Sequence, residues 1–332
     1  MQTVSEAGEA LVEDIERVGH KIAEARRSIG QVIFGQEEVV EQTLITLLAG
    51  GHALLIGVPG LAKTRLVETL GTVLGLDDKR VQFTPDLMPA DILGSEVLEE
   101  SDTGQRSFRF IHGPVFCQLL MADEINRASP RTQSALLQAM QEKTVSIAGH
   151  RHPLPAPFHV LATQNPLEQE GTYPLPEAQL DRFLLQVDVS YPELEAERRM
   201  LIATTGVEED SAAQVFTADE LRAAQRLVRR IPVGDSVVDA ILRLVRAGRP
   251  DDSGDPQMRA RVAWGPGPRA SQALMLAVRA RALLDGRYAP SIDDVVSLAG
   301  PVLRHRMALQ FAARADGITV DSVIERLTAP YA

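Results

Sequence analysis

Residues 57–64 have the types and the spacing that could bind a polyphosphate. They read GVPGLAKT, which matches the phosphate-binding loop G-x-x-x-x-G-K-[ST] except that Ala62 replaces the second glycine. The apolar run at 53–56 predicts a buried strand before the loop, and Lys63 and Thr64 begin a predicted helix. Because a helix N-terminus carries unpaired N–H groups and partial positive charge, the loop favours an anion, with Lys63 on the outer phosphates and the Thr64 hydroxyl on magnesium. The inexact match leaves an ordinary strand-to-helix turn with an exposed lysine as the alternative.

Polar side chains also end two later apolar runs. Asp123 and Glu124 end the run VFCQLLMADE, and Asn165 lies near the end of FHVLATQNP. Carboxylates that cap an apolar strand are costly unless a cation neutralises them, so Asp123 is predicted to bind magnesium and Glu124 to orient or activate the attacking water. Asn165 can donate and accept hydrogen bonds and could position that water. The alternatives are that the carboxylates cap the next helix and that Asn165 forms a turn before proline.

A nearby anion would explain the positions of two arginines in the sequence. Arg182 precedes the last predicted strand, and it could form a surface ion pair with Asp181, Glu177 or Asp188, or reach the phosphate of a neighbouring subunit. Arg269 lies in the first turn of a predicted helix, where the helix dipole disfavours a cation. A nearby anion would relieve this effect, and a solvated arginine is the alternative.

The elements that must position these residues alternate between strand and helix. Short apolar runs predict strands at 53–56, 81–83, 115–121, 158–162 and 183–189. This alternation predicts a parallel sheet with helices on both faces, in which ligands bind beyond the carboxyl ends of the strands. The strand signal then fades, so we expect a nucleotide-binding core with an N-terminal helix at 1–192 and an all-helical domain at 193–332.

One apolar stripe predicts the N-terminal helix. The stripe is too short for a sustained coiled coil, so we expect the helix to dock on its own domain, with a coiled coil as the alternative. Its apolar residues, spaced by four and three, are Leu11, Ile15, Val18, Ile22, Ala25 and Ile29.

Composition argues against several classes of protein. The 332 residues include 34 basic and 45 acidic side chains, a net charge of −11 without a lysine-rich tract, which disfavours nonspecific nucleic-acid binding. The single cysteine, Cys117, has no internal disulfide partner and is predicted to be a buried thiol. No apolar run reaches the ~20 residues needed to span a bilayer, and the N-terminus lacks a secretory pattern, so we expect a cytoplasmic protein.

Five ordered segments, GVPGLAKT, LLMADEINRA, ATQNP, PEAQLDRF and GPGPRA, resemble those of AAA+ ATPases and specifically of the MoxR family. The resemblance extends over nearly the whole chain, from residue 32 to residue 302. MoxR-like members share an alanine before the lysine, which accounts for Ala62 by family likeness. The resemblance implies an α/β fold, a P-loop NTPase core of the AAA+ type followed by a helical lid domain.

The resemblance also implies a role for each matching residue. Asp123 and Glu124 correspond to the Walker B pair, Asn165 to sensor 1, Arg182 to the arginine finger and Arg269 to sensor 2. Arg127 and Arg131 are competitors for the arginine that acts on a neighbouring subunit. Catalysis would then involve Glu124, Asn165 and Arg182, and magnesium would bind Thr64 and Asp123. The residues implied to bind ATP or ADP are Phe34, Gly35, Gly57, Val58, Pro59, Gly60, Leu61, Ala62, Lys63, Thr64, Arg65 and Arg269.

Two inserted segments resemble those that AAA+ relatives direct toward a ring pore or a client. Residues 93–116 contain two extended pieces around SDTGQ, and residues 143–155 predict a hairpin turning at AGH. Ordinary surface loops are the alternative for both segments.

The function implied is that of a magnesium-dependent ATPase that remodels, matures or activates a client enzyme complex. The family likeness implies a homo-oligomeric ring, expected to be a hexamer, with each nucleotide between two subunits and a client that can carry a von Willebrand factor A domain. The alternatives are a nucleotide-gated binding scaffold with incidental hydrolysis, a motor subunit like that of magnesium chelatase, and a nucleic-acid motor, which the acidic balance disfavours.

Overall fold

The computed structural model describes residues 2–100, 106–168, 171–206 and 211–331, with side chains from residue 8 onward. The SDTGQ turn predicted at 101–105 lies outside these ranges. Within the described ranges, no helix combines the length and the apolar character needed to cross a bilayer.

Helices and strands alternate through the first part of the chain, as the sequence predicts. The elements are, in chain order, α1 (Gln2–Gly30), α2 (Glu37–Leu48), β1 (Ala53–Ile56), α3 (Lys63–Leu74), β2 (Asp78–Gln82), α4 (Pro89–Leu93), β3 (Gly94–Glu100), β4 (Arg106–His112), β5 (Leu119–Asp123), α5 (Pro130–Glu142), β6 (Thr144–Ile147), β7 (His150–Pro153), β8 (His159–Gln164), α6 (Glu177–Leu180) and β9 (Leu185–Asp188).

Five parallel strands form the central sheet, in the order β2-β5-β8-β1-β9. Neighbouring residues of a strand point to opposite faces, and both faces are covered. Leu54 of β1 packs in a cluster with Leu136 and Met140 of α5, whereas Leu55 packs in a cluster with Leu66 of α3 and Ile45 of α2. The structure thus confirms the predicted parallel sheet with helices on both faces.

The ends of the strands differ from the predicted ends where polar residues take part. The edge strand β2 begins at Asp78, before the predicted apolar run, because an edge strand can expose polar side chains on its open side. The run 115–121 begins with a turn, and its strand extends from Leu119 to Asp123. Cys117, in that turn, is buried as predicted, and burial raises the pKa of its thiol to about 12.

The second part of the chain is a helical domain. The sequence predicts this domain to be all-helical, but the structure adds one short antiparallel pair of strands, in which Val262 lies opposite Leu309. The two strands are only three and two residues long, below the four to eight residues that make a strand recognisable from sequence. The elements are α7 (Leu194–Thr204), α8 (Ala218–Arg230), α9 (Asp235–Ala247), α10 (Pro256–Arg261), β10 (Val262–Trp264), α11 (Pro268–Leu284), α12 (Ile292–Leu303), β11 (Ala308–Leu309), α13 (Phe311–Ala315) and α14 (Val320–Thr328).

The first helix docks on the protein itself, as expected from its apolar stripe. Ile15, Ile22 and Ile29 are each at most 2% exposed and pack in the main apolar cluster. Burying an isoleucine side chain stabilises a fold by about 1.5–3 kcal/mol, so the stripe alone can hold α1 in place. The helix contacts α3 of the first part and α11 of the second, and Lys21 pairs with Glu220 of α8. It therefore joins the two parts of the chain.

Both inserted segments form hairpins. Strands β3 and β4 pair from Gly94 with His112 to Glu100 with Arg106. Strands β6 and β7 pair across a two-residue turn at Ala148 and Gly149, both with positive φ, which confirms the hairpin predicted at AGH.

Aromatic rings join the two hairpins. The ring of Phe110 in β4 stacks on that of His152 in β7, with 4.1 Å between their centroids, and the ring of His112 stacks on that of Phe116 at 4.2 Å. Contact with a pore or a client stays a prediction for both hairpins.

Candidate active site

A cavity of about 460 Å³ opens at the carboxyl ends of the sheet strands. It contains the loop between β1 and α3 and the ends of β2, β5 and β8. Its lining residues are Pro59, Gly60, Leu61, Ala62, Lys63, Thr64, Arg65, Arg80, Gln82, Asp123, Glu124, Thr163 and Asn165. Five of the residues that the sequence predicts for phosphate, magnesium and water, namely Lys63, Thr64, Asp123, Glu124 and Asn165, therefore face one space.

The loop at 57–64 turns as tightly as its composition predicts. A Cβ on Gly57 would lie 2.6 Å from the carbonyl oxygen of Val189, so only glycine fits there. Gly60 and Ala62 both have positive φ, 86° and 54°. An alanine in the left-handed region costs roughly 1–2 kcal/mol, so Ala62 holds a conformation that glycine adopts without strain. Helix α3 begins at the next residue, Lys63, and its first N–H groups face the loop.

Lys63 is held inside the loop by main-chain oxygens. Its Nζ donates to the carbonyls of Gly57 and of Val58, the latter at 2.9 Å. Partial burial lowers the pKa of its ammonium group, and the charges of Asp123 and Glu124 oppose that shift. The ammonium group is thus fixed beside the loop N–H groups, where a phosphate oxygen would meet it.

Asp123 ends strand β5 and is 8% exposed. Its carboxylate accepts a hydrogen bond from the Thr163 hydroxyl at 2.6 Å and forms an ion pair with Arg80 at 2.6 Å. A nearly buried carboxylate requires such compensation, and a cation or a cationic side chain can supply it. The position thus suits a metal ligand, with Arg80 as a second cationic partner.

Glu124 follows in a left-handed conformation, with φ of 55°. Its Oε2 accepts hydrogen bonds from Gln82 Nε2 at 2.7 Å and from Arg127 Nη1 at 3.0 Å, while its N–H donates to the Thr163 hydroxyl at 2.8 Å. Its side chain makes no capping hydrogen bond to the turn that follows, and Ser129 caps the next helix. The capping alternative considered for this carboxylate is therefore wrong.

Asn165 forms the expected turn and also lines the cavity, while its contact with water stays a prediction. It is 7% exposed and lines the cavity, and its Oδ1 accepts a hydrogen bond from the Leu167 N–H at 3.1 Å, two residues on. Such a turn fixes the side chain, so its amide is presented to the cavity in one orientation.

Sequence reasoning missed Arg80, Gln82 and Thr163. All three lie within strands, whereas the sequence patterns that indicate the site lie at or after the ends of strands. A signal was present, because Gln82 is the last residue of β2 and Thr163 the penultimate residue of β8, both at the carboxyl edge where ligands bind in such sheets.

A smaller cavity of about 170 Å³ adjoins the loop. Phe34 lines it together with Pro59, Gly60 and Tyr191, so Phe34, which the resemblance implies to bind the nucleotide, lies beside the loop. Gly35 lies next to this cavity and packs against α7, since a Cβ there would come within 2.4 Å of the Ala196 Cβ.

Arg182 and Arg269 lie at the other end of the sheet. Both line a cleft of about 270 Å³ with Gly51 and His52, which precede β1, whereas the phosphate loop follows β1. In the described part of the chain Arg182 has no ion pair, and its Nε is buried without a hydrogen-bond partner. Arg269 lies 3.8 Å from Asp181, so the anion beside this first helical turn is a carboxylate of the same chain.

The surface ion pairs considered for Arg182 are absent from the described residues, and lid arginines occupy two of the three carboxylates. Asp181 pairs with Arg306 at 2.7 Å, and Asp188 pairs with Arg304 at 2.6 Å. Arg127, a competitor for the trans-acting role, pairs with Glu124 of its own cavity at 3.0 Å. Arg131, the other competitor, is exposed in the first turn of α5.

The residues around the larger cavity fit a magnesium-bound triphosphate. A lysine, a row of loop N–H groups, a threonine hydroxyl and two carboxylates converge on it. Among the described residues, no cluster of three or more His, Cys, Asp and Glu side chains could hold a metal by itself. A magnesium ion here would therefore need phosphate oxygens besides Thr64 and Asp123, which is usual for this cation.

Comparison with known proteins agrees with the geometry. Residues 52–185 match the family described as "ATPase family associated with various cellular activities (AAA)", and residues 258–327 match the AAA lid domain. A crystal structure from Cytophaga hutchinsonii, described as a candidate ATPase, has a TM-score of 0.89 and 35% identity and covers 99% of this chain and 98% of that chain.

Two curated relatives carry the same family name. The chain is 44% identical to Chaperone MoxR1 of Mycobacterium tuberculosis over 309 residues, which cover 93% of this chain and 81% of that protein. It is 30% identical to Protein MoxR of Paracoccus denitrificans over 309 residues, with 87% and 89% covered. The likeness extends through both the sheet and the lid, and the chain belongs to the MoxR family of AAA ATPases.

Proposed function

We propose that this ATPase works as a ring of identical subunits, expected to be a hexamer, that uses magnesium-dependent hydrolysis to remodel a client protein. One observation carries the hydrolytic part: Lys63, Asp123, Glu124 and Asn165 converge on a single cavity at the carboxyl edge of the sheet. In this proposal the nucleotide-binding core is residues 1–192 and the lid is residues 193–332.

The five predicted side chains that line the cavity divide the reaction among them. Lys63 and the N–H groups at the start of α3 bind the outer phosphates and neutralise their charge. Thr64 and Asp123 would hold magnesium, which would neutralise charge on the phosphates. Glu124 accepts the proton of the attacking water or orients that water, and Asn165 holds the water or the outer phosphate in place.

Glu124 is suited to this task by its hydrogen bonds. Gln82 and Arg127 both donate to Oε2, at 2.7 Å and 3.0 Å, and the Glu124 N–H is fixed on Thr163. Because Oε2 is held by two hydrogen bonds, the orientation of the second carboxylate oxygen, Oε1, is restricted. This is the preorganisation that a general base requires.

Two observations support shared sites in a ring. Arg182 and Arg269 line a cleft at the amino ends of the strands and do not line the cavity of their own phosphate loop. Arg182 also has no ion pair among the described residues, although carboxylates flank it in sequence. An arginine kept free in this way can serve the nucleotide of an adjacent subunit, a contribution worth about 10³ to 10⁵ in rate.

The client is proposed from family likeness and from the hairpins. One relative is named a chaperone, and we extend remodelling of this kind to the present chain, with a client that can carry a von Willebrand factor A domain. Leu98 and Phe108 lie opposite each other in the β3–β4 hairpin and are 50% and 71% exposed. A pair of exposed apolar side chains of this kind is available for contact with another protein.

The decisive experiment uses Glu124→Gln, which keeps the shape of the side chain and removes its basicity. ATP binding, measured by calorimetry with magnesium, should remain, while steady-state turnover should fall by about 10²-fold or more, the usual contribution of general-base catalysis. The matched control is Glu13→Gln on the exposed side of α1. Unchanged turnover in Glu124→Gln would reject the proposed base.

Remodelling is tested separately from hydrolysis. Turnover of the unaltered protein should rise when a client captured by the ATP-bound Glu124→Gln variant is added. Full client activation by that variant would instead favour a scaffold gated by nucleotide binding.

A further inference from the structure

A buried arginine of the lid holds the core segment that contains Arg182. Arg306 follows α12 and is 2% exposed. Its Nε donates to Asp181 Oδ1 at 2.7 Å, its Nη2 to the Phe183 carbonyl at 2.6 Å and its Nη1 to the Leu184 carbonyl at 3.1 Å. All three nitrogens of the guanidinium group are thus bonded to residues 181–184.

Neighbouring lid residues strengthen this attachment. Nε2 of the buried His305 lies 3.1 Å from the Phe183 carbonyl oxygen, and Arg304 pairs with Asp188 at the far end of β9 at 2.6 Å. Because a buried cation without acceptors costs several kcal/mol, the guanidinium group of Arg306 requires this set of partners. Three consecutive lid residues, Arg304, His305 and Arg306, are therefore attached to the core segment 181–188.

The segment that Arg306 holds also contacts Arg269 and contains Arg182. Arg182 lies between Asp181 and Phe183, both of which Arg306 contacts. The other carboxylate oxygen of Asp181, Oδ2, lies 3.8 Å from Arg269 of α11. One core carboxylate thus links Arg306 to Arg269, while the adjacent residue, Arg182, extends from the same fixed backbone.

We propose that Arg306 is a positioning residue: it fixes residues 181–184 so that Arg182 and Arg269 face a neighbouring subunit's nucleotide as one unit. This inference rests on the proposed function, since it requires sites shared between subunits. It assigns to the buried arginine an effect on the neighbour's catalysis and none on nucleotide binding by its own subunit.

The geometry requires arginine at this position. A guanidinium group presents five N–H donors in a fixed plane, whereas a lysine ammonium group is a point charge on a flexible stem. Lysine at 306 would keep the charge and could reach one or two of the acceptors. The Asp181–Leu184 segment would then shift, and a misplacement of about 1 Å can cost about 10²-fold in rate.

The test compares Arg306→Lys with Arg326→Lys, a lid arginine that pairs with Asp255 on the surface. For Arg306→Lys we expect ATP affinity within about twofold of the unaltered protein and kcat lower by about 10²-fold. The Arg326→Lys control should change neither. Wild-type kcat in Arg306→Lys would overturn the inference.

Mixed subunits separate positioning from general damage. Lys63→Ala subunits lack a working phosphate loop but retain their arginines, so adding them to Arg306→Lys subunits should restore part of the turnover. The same mixture with Arg182→Ala subunits tests the shared site itself. Recovery with Arg182→Ala but not with Arg306→Lys would overturn only the role of Arg306, and recovery with neither would count against the proposed function.

A second variant covers the case in which Arg306→Lys fails to fold, judged by its thermal melting. Asp181→Asn keeps the backbone acceptors and the side-chain shape but removes the charge that binds Arg306 and Arg269. It should lower kcat without weakening ATP binding and should be rescued by Lys63→Ala subunits. A folded Asp181→Asn variant with unchanged kcat would contradict the inference.

Discussion

The two ends of the central sheet differ in how their side chains are held. At the carboxyl end, Lys63, Asp123 and Glu124 line an open cavity, and two of its non-glycine lining residues, Ala62 and Glu124, have positive φ. At the amino end, buried side chains are fixed by hydrogen bonds to main-chain groups. These are His52, which accepts from the Val160 N–H at 2.9 Å, His159, which lies 2.8 Å from the Gly51 carbonyl oxygen, and His305 and Arg306 of the lid.

The carboxyl end of the sheet is suited to binding a ligand, whereas most buried groups at the amino end hold the lid and the core together. Groups that must meet a ligand keep contact with solvent, and local backbone strain often persists at such places. At the amino end only Arg182 and Arg269 are proposed to meet a ligand, so the histidines there can be buried without charge and the lid can be fixed against the core. Each end of the sheet would thus contribute one half of a site, and the matching half would come from another subunit.

Disabling each end of the sheet in turn should give the largest effects. Lys63→Ala should weaken ATP binding by about 10- to 10²-fold, because a charge-assisted hydrogen bond contributes roughly 1.5–3 kcal/mol, and turnover should be lost. Arg182→Ala should lose turnover while ATP affinity stays within about twofold, as expected for an arginine that acts on the transition state. Calorimetry with ATP and a steady-state assay give both quantities.

Lys79→Ala is the control for the loss of a lysine, since Lys79 is exposed near the amino end of β2. If Arg182→Ala weakened ATP binding as much as Lys63→Ala does, the division of tasks between the two ends would be wrong.

Acid should destabilise the amino end of the sheet more than the carboxyl end. Burial lowers the pKa of His52 to about 3 and of His159 to about 4, and lowers the pKa of His305 well below 6.5. The unfolded chain then binds more protons below about pH 6.5, so the free energy of unfolding is highest above that pH and falls as the pH drops toward 4. Each histidine contributes at most roughly 1.4 kcal/mol per pH unit.

Urea unfolding at pH 7, 6 and 5 measures this slope. In parallel, amide hydrogen exchange should show that the Leu184 N–H, bonded to the His52 carbonyl at 2.7 Å, opens more in acid than the amides of α3. A slope near zero between pH 6.5 and 5 would show that these histidines do not stabilise the fold by staying neutral.

The smallest effect concerns strain at the carboxyl end. Ala62→Gly should relieve roughly 1–2 kcal/mol of left-handed strain, while the extra freedom of glycine in the unfolded chain offsets about 0.4–1 kcal/mol of that gain. We therefore expect the free energy of unfolding to rise by about 1 kcal/mol or less, measured by thermal melting. Gly60→Ala is the opposite change at φ of 86° and should destabilise the protein. A loss of stability in Ala62→Gly would show that its backbone is unstrained.

The sequence predicts the carboxyl end better than the amino end, and the reason is geometric. Parallel strands end at a common edge, so Asp123, Asn165 and the loop at 57–64 could be expected to meet from their order alone. The position of Arg269 depends instead on where the lid docks, which no local pattern encodes. Arg306 escaped notice for the same reason, because its partners lie more than a hundred residues earlier in the chain.

The stacked rings of Phe110 and His152 have a mechanical consequence. One hairpin leads into β5, which ends at Asp123, and the other leads into β8, which is followed by Asn165. Tilting either hairpin alone would unstack the rings, so we expect the two hairpins to move together relative to β5 and β8, whose ends line the larger cavity. Movement of either hairpin would then reach the ends of both strands together.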